Sequence, residues 1–268
     1  SVPVRHSRSP VAPAQAGVPT EEGKRMNRQD VAGMASLARL RQMVYRLFST
    51  LYLYPDAERL ATLAQAAGNL QQETEFVAVF PFFLSWRRLL TTLHGLTADE
   101  IALVEKDYVR LFHVNLNGMQ CLPYESFYLD PKRQAMGWNI AQLECEYAAS
   151  GLRLSPSLKE LPDHAAVELE FMAFLCDREA ETWEKEAWQA GFRVLERQRS
   201  FLHRHLGRWF PVFARKVAIA VSGQLYGVTS KAADAFIHHD RDLVTLLLER
   251  FRAAEGLPVA DRHSTVNT

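Results

Sequence analysis

Apolar residues recur at three- and four-residue steps through most of the chain. The clearest run consists of Leu37, Leu40, Val44, Leu47, Phe48 and Leu51. This spacing places the apolar side chains on one face of a helix, which we predict to end near Tyr54 and Pro55. No alternating β-branched run occurs, so no Asn-Gly or Asp-Gly pair joins two strand-like segments as a hairpin would require. The pattern therefore predicts an all-α fold, a single globular helical-bundle domain of about nine or ten helices.

Capping residues and prolines mark where the helices begin and end. Thr97 and Glu100 have the spacing of a capping box, which starts a helix that runs through Phe112. Asp130 is expected to cap a helix that Gly151 ends. That helix covers residues 131–150. The remaining helices are predicted over residues 57–67, 76–93 with a kink at Pro81, 162–190, 192–206 and 211–222, with a final pair between residues 229 and 254.

The two ends of the chain lack this periodicity. Residues 1–28 are rich in Pro, Ser, Ala and Arg, which indicates a disordered tail or an added, non-native segment, with Met26 a natural start. We assign residues 29–256 to one all-helical domain and residues 257–268 to a flexible C-terminal tail.

Charge and composition exclude several classes of function. Lys plus Arg and Asp plus Glu both number 31, so the formal net charge is zero, which argues against nucleic acid as the main partner. The most apolar stretch, residues 76–86, is about half the ~20 residues that a membrane span needs. Three widely separated cysteines without a Cys-x-x-Cys motif are typical of a reducing compartment. We therefore expect a cytoplasmic protein without a membrane span.

The segment Glu160-Leu161-Pro162-Asp163-His164 precedes an apolar helix. Asp163 is placed to cap the first turn of that helix. His164 lies one turn before Glu168, so the two side chains are expected to pair. Because the helix is apolar around most of its circumference, we expect it at the centre of the bundle.

A second block combines aromatic and acidic side chains. It runs from Cys121 to Leu129 and includes Pro123, Tyr124 and Glu125. Aromatic rings of this kind suit a peptide or protein interface, because they bury a large area at little entropy cost. The alternative is a loop that packs its rings into the core. A third block, residues 201–213, carries histidines that we interpret as structural or surface residues.

An enzymatic function is the main alternative. Asp163, His164 and Glu168 together suggest a metal-dependent or nucleotide-hydrolysing centre, although a metal site needs three or four ligands and no His-Glu-x-x-His motif accompanies them. A permanent structural subunit is a third possibility. Because no nucleotide loop or nucleophile triad occurs, we expect a binding protein without catalytic activity or cofactor.

The order and spacing of the three blocks resemble the TorD/DmsD/NarJ family of molybdoenzyme-specific chaperones, also called redox enzyme maturation proteins. The resemblance spans roughly residues 35–250. Many members carry a motif similar to Glu-Pro-x-Asp-His; here Leu161 stands in the place of that proline and Pro162 follows it. Tyr124 stands where some relatives have tryptophan.

The resemblance implies an all-helical chaperone whose partner is a molybdopterin oxidoreductase catalytic subunit. Such chaperones bind the subunit and its N-terminal twin-arginine leader until the cofactor is inserted. Carboxylates would bind the two arginines of the leader, and an apolar groove would bind its apolar stretch. His164 would make this binding sensitive to pH. We expect a monomer or a segment-exchanged dimer. The expected client-binding residues are Tyr108, Leu111, Phe112, Pro123, Tyr124, Glu125, Pro162, Asp163, His164 and Glu168.

Overall fold

Ten α-helices form the part of the chain that the computed structural model describes, residues 28–72, 78–113, 121–130, 136–155 and 160–254. Within these ranges the one β feature is an isolated antiparallel bridge between Tyr124 and His164. The all-α prediction is confirmed. The helices are α1 Arg28–Tyr52, α2 Ala57–Gln72, α3 Phe83–His94, α4 Ala98–Phe112, α5 Glu125–Leu129, α6 Met136–Ala149, α7 Ala165–Glu184, α8 Trp188–Arg204, α9 Leu206–Ala220 and α10 Leu225–Ala254.

Local signals in the sequence set several helix ends. Thr97 accepts a hydrogen bond from the Glu100 amide at 3.2 Å, and the Glu100 carboxylate accepts from the Thr97 amide at 2.9 Å, so the predicted capping box is present. Gly151, the second residue after α6, adopts φ +79°, a conformation that glycine reaches without strain. The predicted tails, residues 1–28 and 257–268, lie outside the described residues apart from Arg28.

Other boundaries differ from the prediction. The helix expected over residues 76–93 begins at Phe83, after Pro81, because proline lacks the amide that an interior helical position needs. The helix expected over residues 162–190 ends at Glu184, and Glu186 in the following turn has a positive φ of 54°. The predicted helix start at Pro131 lies outside the described residues.

The C-terminal helices are longer than expected. α9 begins at Leu206 and contains Pro211, because a proline in the second turn removes one backbone hydrogen bond without ending a helix whose apolar face is buried. A single helix, α10, replaces the expected final pair. Phe236, Ile237, Val244 and Leu248 are all buried, so one apolar face continues along it.

Helix α7 occupies the centre of the molecule, as its composition predicts. It packs against α1, α8 and α9, and Leu169, Met172 and Cys176 are completely buried. A helix enclosed on several sides holds the ends of its neighbours at fixed positions. The start of α7 therefore presents residues 160–168 at a defined place, beside the segment that contains α5.

An arginine is also buried in this core, at the junction of four helices. Arg41 of α1 is 1% exposed and donates to Glu179 at 2.6 Å, to Asp240 at 2.5 Å and to Gln198 at 2.5 Å. Tyr45 donates to the same Asp240 at 2.7 Å. Because a buried charge is tolerated only when it is paired, this network ties α1 to α7, α8 and α10.

Candidate functional site

Two segments that are 40 residues apart in sequence meet at the start of α7. The Glu125 amide donates to the Asp163 carbonyl at 2.9 Å, and the Ala165 amide donates to the Pro123 carbonyl at 2.8 Å. This short bridge brings the rings of Tyr124 and His164 to 5.0 Å in an edge-to-face arrangement. The structure thus places the two sequence blocks side by side.

Residues 160–164, which we call the motif, contribute two polar side chains that cap two different helices. His164, in an extended conformation, accepts a hydrogen bond from the Ala166 amide through Nδ1 at 3.1 Å and is the N-cap of α7. Asp163 accepts from the Ser126 amide in the first turn of α5 at 3.1 Å. The prediction that Asp163 caps α7 is therefore wrong. The motif instead fixes both helix starts relative to each other.

The imidazole of His164 is held in its neutral form. Burial, with a smaller contribution from nearby His113, lowers the pKa of His164 to about 3. Its Nε2 lies 3.7 Å from the Glu160 carboxylate, beyond hydrogen-bond distance, and this weak attraction does not offset the loss of hydration. The expected pairing with Glu168 is absent. Because this pKa lies far below neutrality, an effect of His164 on client binding would fall at acid pH, and it stays a prediction.

Glu168 belongs to a cluster of acidic side chains beneath the motif. Both of its carboxyl oxygens accept from the Trp209 indole, at 3.1 and 3.0 Å, and it hydrogen-bonds with Glu125. Glu125 is anchored by His205 Nδ1 at 3.1 Å from each oxygen. Burial and the adjacent Glu125 raise the pKa of Glu168 far above its usual range. This environment favours the protonated form of Glu168.

Most of the expected client-binding residues are buried. Tyr108, Leu111 and Phe112, expected to form an apolar groove, are at most 2% exposed and pack in the core. The other buried residues of the expected site are Pro123, Glu125, Pro162, Asp163, His164 and Glu168. Tyr124 alone is half-buried. These side chains build and position the site, and their direct contact with a client stays a prediction.

The exposed edge of the motif has its own chemistry. Glu160 accepts a hydrogen bond from the Tyr124 hydroxyl at 3.0 Å, and its side chain is 16% exposed. The next residue, Leu161, is 43% exposed. Tyr54 is 46% exposed, and its ring lies 5.4 Å from that of Tyr108. This edge of the site thus exposes the Glu160 carboxylate, the apolar side chain of Leu161 and the ring of Tyr54.

A recess of about 570 Å³ opens beside this edge. Ala166 and Val167 at the start of α7 line it, as does Tyr147, whose hydroxyl donates to the Pro162 carbonyl at 2.8 Å. Its remaining apolar lining is Leu53, Leu152, Leu154, Phe171 and Phe174. The lining also includes the charged side chains of Arg46, Arg153 and Glu170. A mostly apolar recess with a few polar groups has the composition of a ligand or peptide site.

Sequence comparison with known proteins identifies the chain's relatives. The model of the family described as nitrate reductase delta subunit matches residues 52–215. The chain belongs to this family. The matched range contains the Tyr124 segment, the motif at residues 160–164, and both His205 and Trp209.

Several curated proteins are similar to this member of the nitrate reductase delta subunit family. The chaperone protein TorD of Vibrio cholerae is 31% identical over 61% of this chain and 73% of its own length. The chlorate reductase assembly chaperone protein of Ideonella dechloratans is 29% identical, over 62% of this chain and 83% of its own. The selenate reductase assembly chaperone protein of Thauera selenatis is 30% identical, over 58% of this chain and 77% of its own length.

Sequence reasoning missed three residues of the site in this nitrate reductase delta subunit family member. Glu160 opens the motif but was not among the expected binding residues, although its position at the loop edge was a usable signal. His205 and Trp209 reach the carboxylate cluster from α8–α9, and no local pattern connects them to residues 125 and 168. Among the described residues, no group of three or more His, Cys, Asp and Glu side chains is arranged to hold a metal ion.

None of the helices in the described ranges has the length and hydropathy that crossing a lipid bilayer requires.

Proposed function

We propose that this protein is a cytoplasmic chaperone for the catalytic subunit of a molybdopterin-dependent oxidoreductase. It binds the leader and the apo-form of that subunit, assists cofactor insertion before export or assembly, and catalyses no reaction itself. The observation that carries the proposal is membership of the nitrate reductase delta subunit family together with similarity to proteins named as assembly chaperones.

The exposed edge of the motif supports a role in leader binding. Glu160 is the partly exposed carboxylate there, and a guanidinium group pairs with a carboxylate through two parallel hydrogen bonds. Tyr124 beside it offers a ring face for the same cation. The neighbouring apolar recess suits the apolar stretch of a leader. We therefore assign the arginines to Glu160 rather than to the buried Asp163.

Co-purification from the native host tests the function. The full chain, carrying an affinity tag, is expressed in a wild-type strain and in a strain that cannot make molybdopterin, and bound polypeptides are identified by mass spectrometry. We expect a molybdopterin oxidoreductase catalytic subunit to be enriched in the cofactor-deficient strain, because the apo-form accumulates there. If neither strain yields such a subunit with the tagged chain, the proposal is contradicted.

Calorimetry with a leader peptide tests the site. Glu160→Gln should weaken binding of a peptide with two arginines at least tenfold, because the carboxylate charge is lost and the shape is kept. Glu58→Gln, an exposed residue of α2, is the matched control and should leave the affinity unchanged. Unchanged affinity in Glu160→Gln would remove this residue from the site, without bearing on the co-purification result.

A further inference from the structure

A second recess, of about 410 Å³, lies between α7 and α8 and is rich in cations. Arg178 and Lys185 come from α7 and the turn after it, and Arg193 and Arg197 come from α8. Glu181 is the one acidic side chain in the lining. The recess therefore carries a net charge of +3 in a chain whose formal net charge is zero, so the excess is local.

The cations of this recess, which we call the cationic cleft, are only partly neutralised. Glu181 pairs with Arg178 at 3.1 Å and with Lys185 at 3.4 Å, and these partners lower the pKa of Glu181. Arg197 donates to the Ala149 carbonyl and the Ser150 hydroxyl, both uncharged. Arg193 is exposed and has no polar partner among the described residues. One carboxylate thus serves two cations, and two guanidinium groups keep their full charge.

The cationic cleft adjoins the apolar recess beside the motif. Phe174 lines both recesses, and the Arg178 guanidinium lies 5.3 Å above its ring. Val194 and Ala190 add apolar surface between the cations of the cleft. Phe174 is therefore a wall that the two recesses share.

The spacing of the cations selects an extended chain over a small anion. Arg178 and Lys185 are seven residues apart, about 10 Å along a helix, and Arg193 and Arg197 are one turn apart, about 6 Å. Alternate side chains of an extended polypeptide lie about 7 Å apart on one side. Carboxylates on alternate residues thus have nearly the axial spacing of the Arg193 and Arg197 backbone positions, and an extended segment can reach cations on both helices. The intervening side chains of such a segment would face Phe174 and Val194.

We propose that the cationic cleft docks an extended acidic segment of the client polypeptide, separate from the leader site at the motif. The cations supply charge complementarity and fast association, and the apolar residues between them fix the register of the segment. Because the occupant is assigned to the client, this inference rests on the proposed function. It adds a second point of attachment, whose effective concentration is raised once the leader is bound.

A designed peptide tests the cleft without the client. The probe is a fluorescent twelve-residue peptide of alternating Glu and Leu, and its matched control replaces each Glu by Gln. We expect the acidic peptide to bind the full chain at least tenfold more tightly than its Gln counterpart, and less tightly as salt is raised. The double variant Lys185→Glu/Arg193→Glu should bind the acidic peptide at least tenfold more weakly than the wild type does.

The control variant Arg88→Glu/Lys106→Glu makes the same change in net charge at exposed residues of α3 and α4. It should bind the acidic peptide as the wild type does. Equal losses in both double variants would show attraction to the net charge alone and would overturn the proposal. Displacement of the peptide by inorganic phosphate at equal ionic strength would also overturn it, since the cleft would then be a site for a small anion.

Co-purification of the client connects the cleft to the function. Lys185→Glu/Arg193→Glu should recover less of the apo catalytic subunit while keeping the wild-type affinity for the leader peptide. Full recovery of the subunit would remove the client from the cleft even if the designed peptide binds there. If no subunit is recovered by the wild type either, the proposed function fails, and the peptide result then stands on its own.

Discussion

The imidazole of His164 acts as a hydrogen-bond acceptor, and this fixes its protonation state. Nδ1 can accept from the Ala166 amide only when it carries no proton, and burial lowers the pKa of His164 to about 3. An unfolded histidine titrates near pH 6.5, so the unfolded chain binds one more proton than the folded chain between about pH 3 and 6.5. The stability that neutral His164 contributes is complete above pH 6.5 and is lost as the pH falls toward 3.

Replacing His164 separates its capping role from its titration. His164→Asn keeps a side chain that caps well, while His164→Ala should lower the free energy of unfolding by about 1–2 kcal/mol. Between pH 4 and 6, the wild-type free energy of unfolding should rise with pH by up to about 1.4 kcal/mol per pH unit more than that of His164→Asn. Urea unfolding across this range measures both effects. The exposed His203→Asn should parallel the wild type, and parallel curves for His164→Asn would refute the assignment.

Glu168 has the opposite dependence on pH. Its pKa is raised by burial and by Glu125, so its contribution is complete below pH 4.5 and is lost as the pH rises through the raised value. Glu168→Gln keeps the acceptor for the Trp209 indole and stays neutral at every pH. The variant should therefore be more stable than the wild type at pH 8 and lose that advantage at pH 4. Thermal unfolding at both values tests this, with exposed Glu144→Gln as the control; a wild-type advantage at pH 8 would contradict it.

Helices α7 and α8 pack closely because one position between them has no side chain. A Cβ atom on Gly191 would lie 2.6 Å from the Trp183 ring, nearer than side chains approach, and Trp183 is fully buried. The ring cannot move without disturbing Glu179, which accepts from its indole nitrogen at 3.1 Å. The glycine therefore sets the distance between the two helices that form the cationic cleft.

Gly191→Ala should destabilise the protein, although alanine is the better helix former. Overpacking against Trp183 should lower the free energy of unfolding by about 1–3 kcal/mol. The control is Gly33→Ala in α1, where an added Cβ meets nothing within 4 Å. That change should raise the free energy of unfolding by about 0.5–1 kcal/mol, since it removes the entropy cost of glycine in a helix. Chemical denaturation of both variants measures the difference, and equal shifts would contradict the packing argument.

The sequence predicts those elements whose signals lie within a few residues of each other. The capping box of α4, the stop at Gly151 and the central position of α7 all follow from local spacing and are confirmed. The predicted start of α9 at Pro211 is wrong, because the buried apolar face of this helix begins before the proline and continues through it. The short helix α5 has no helix signal in the sequence, since its start depends on Asp163, which comes from a distant segment.

The same limit applies to the candidate site. The meeting of the Tyr124 segment with the motif was anticipated from the resemblance to a chaperone family. The sequence does not predict that the side chains of these two segments are buried. A carboxylate such as Glu168 has the character of a surface residue until Trp209 and Glu125 enclose it. Long-range partners decide whether a polar residue binds a ligand or supports the fold.

Across the whole molecule, the Arg41 network joins the two ends of the described chain. One guanidinium satisfies carboxylates from α7 and α10 and an amide from α8, all of them buried. Removing the cation would leave Glu179 and Asp240 buried without their partner, which costs more than the loss of the ion pairs themselves. The network therefore links the packing of α1, α7, α8 and α10 through one buried charge.

Arg41→Ala should lower the free energy of unfolding by about 3–5 kcal/mol. Arg39→Ala, two residues away on the same helix, is the matched control, because Arg39 is 40% exposed and pairs with Asp177 and Glu184 at the surface. Arg39→Ala should lower the free energy of unfolding by less than about 1 kcal/mol. Urea unfolding followed by circular dichroism compares the two. Similar losses in both variants would mean that the buried network contributes no more than a surface ion pair.

The separation of Arg41 from Asp240 also has a consequence during synthesis. The two residues are 199 positions apart. A ribosome that adds about 5–20 residues per second needs roughly 10–40 s to travel between them. Throughout that interval the nascent N-terminal helix carries a cation whose final counter-ion has not yet been translated. The protein's own maturation must therefore wait for α10 to emerge, and a transcript cut short before α10 would yield a polypeptide in which Arg41 lacks Asp240.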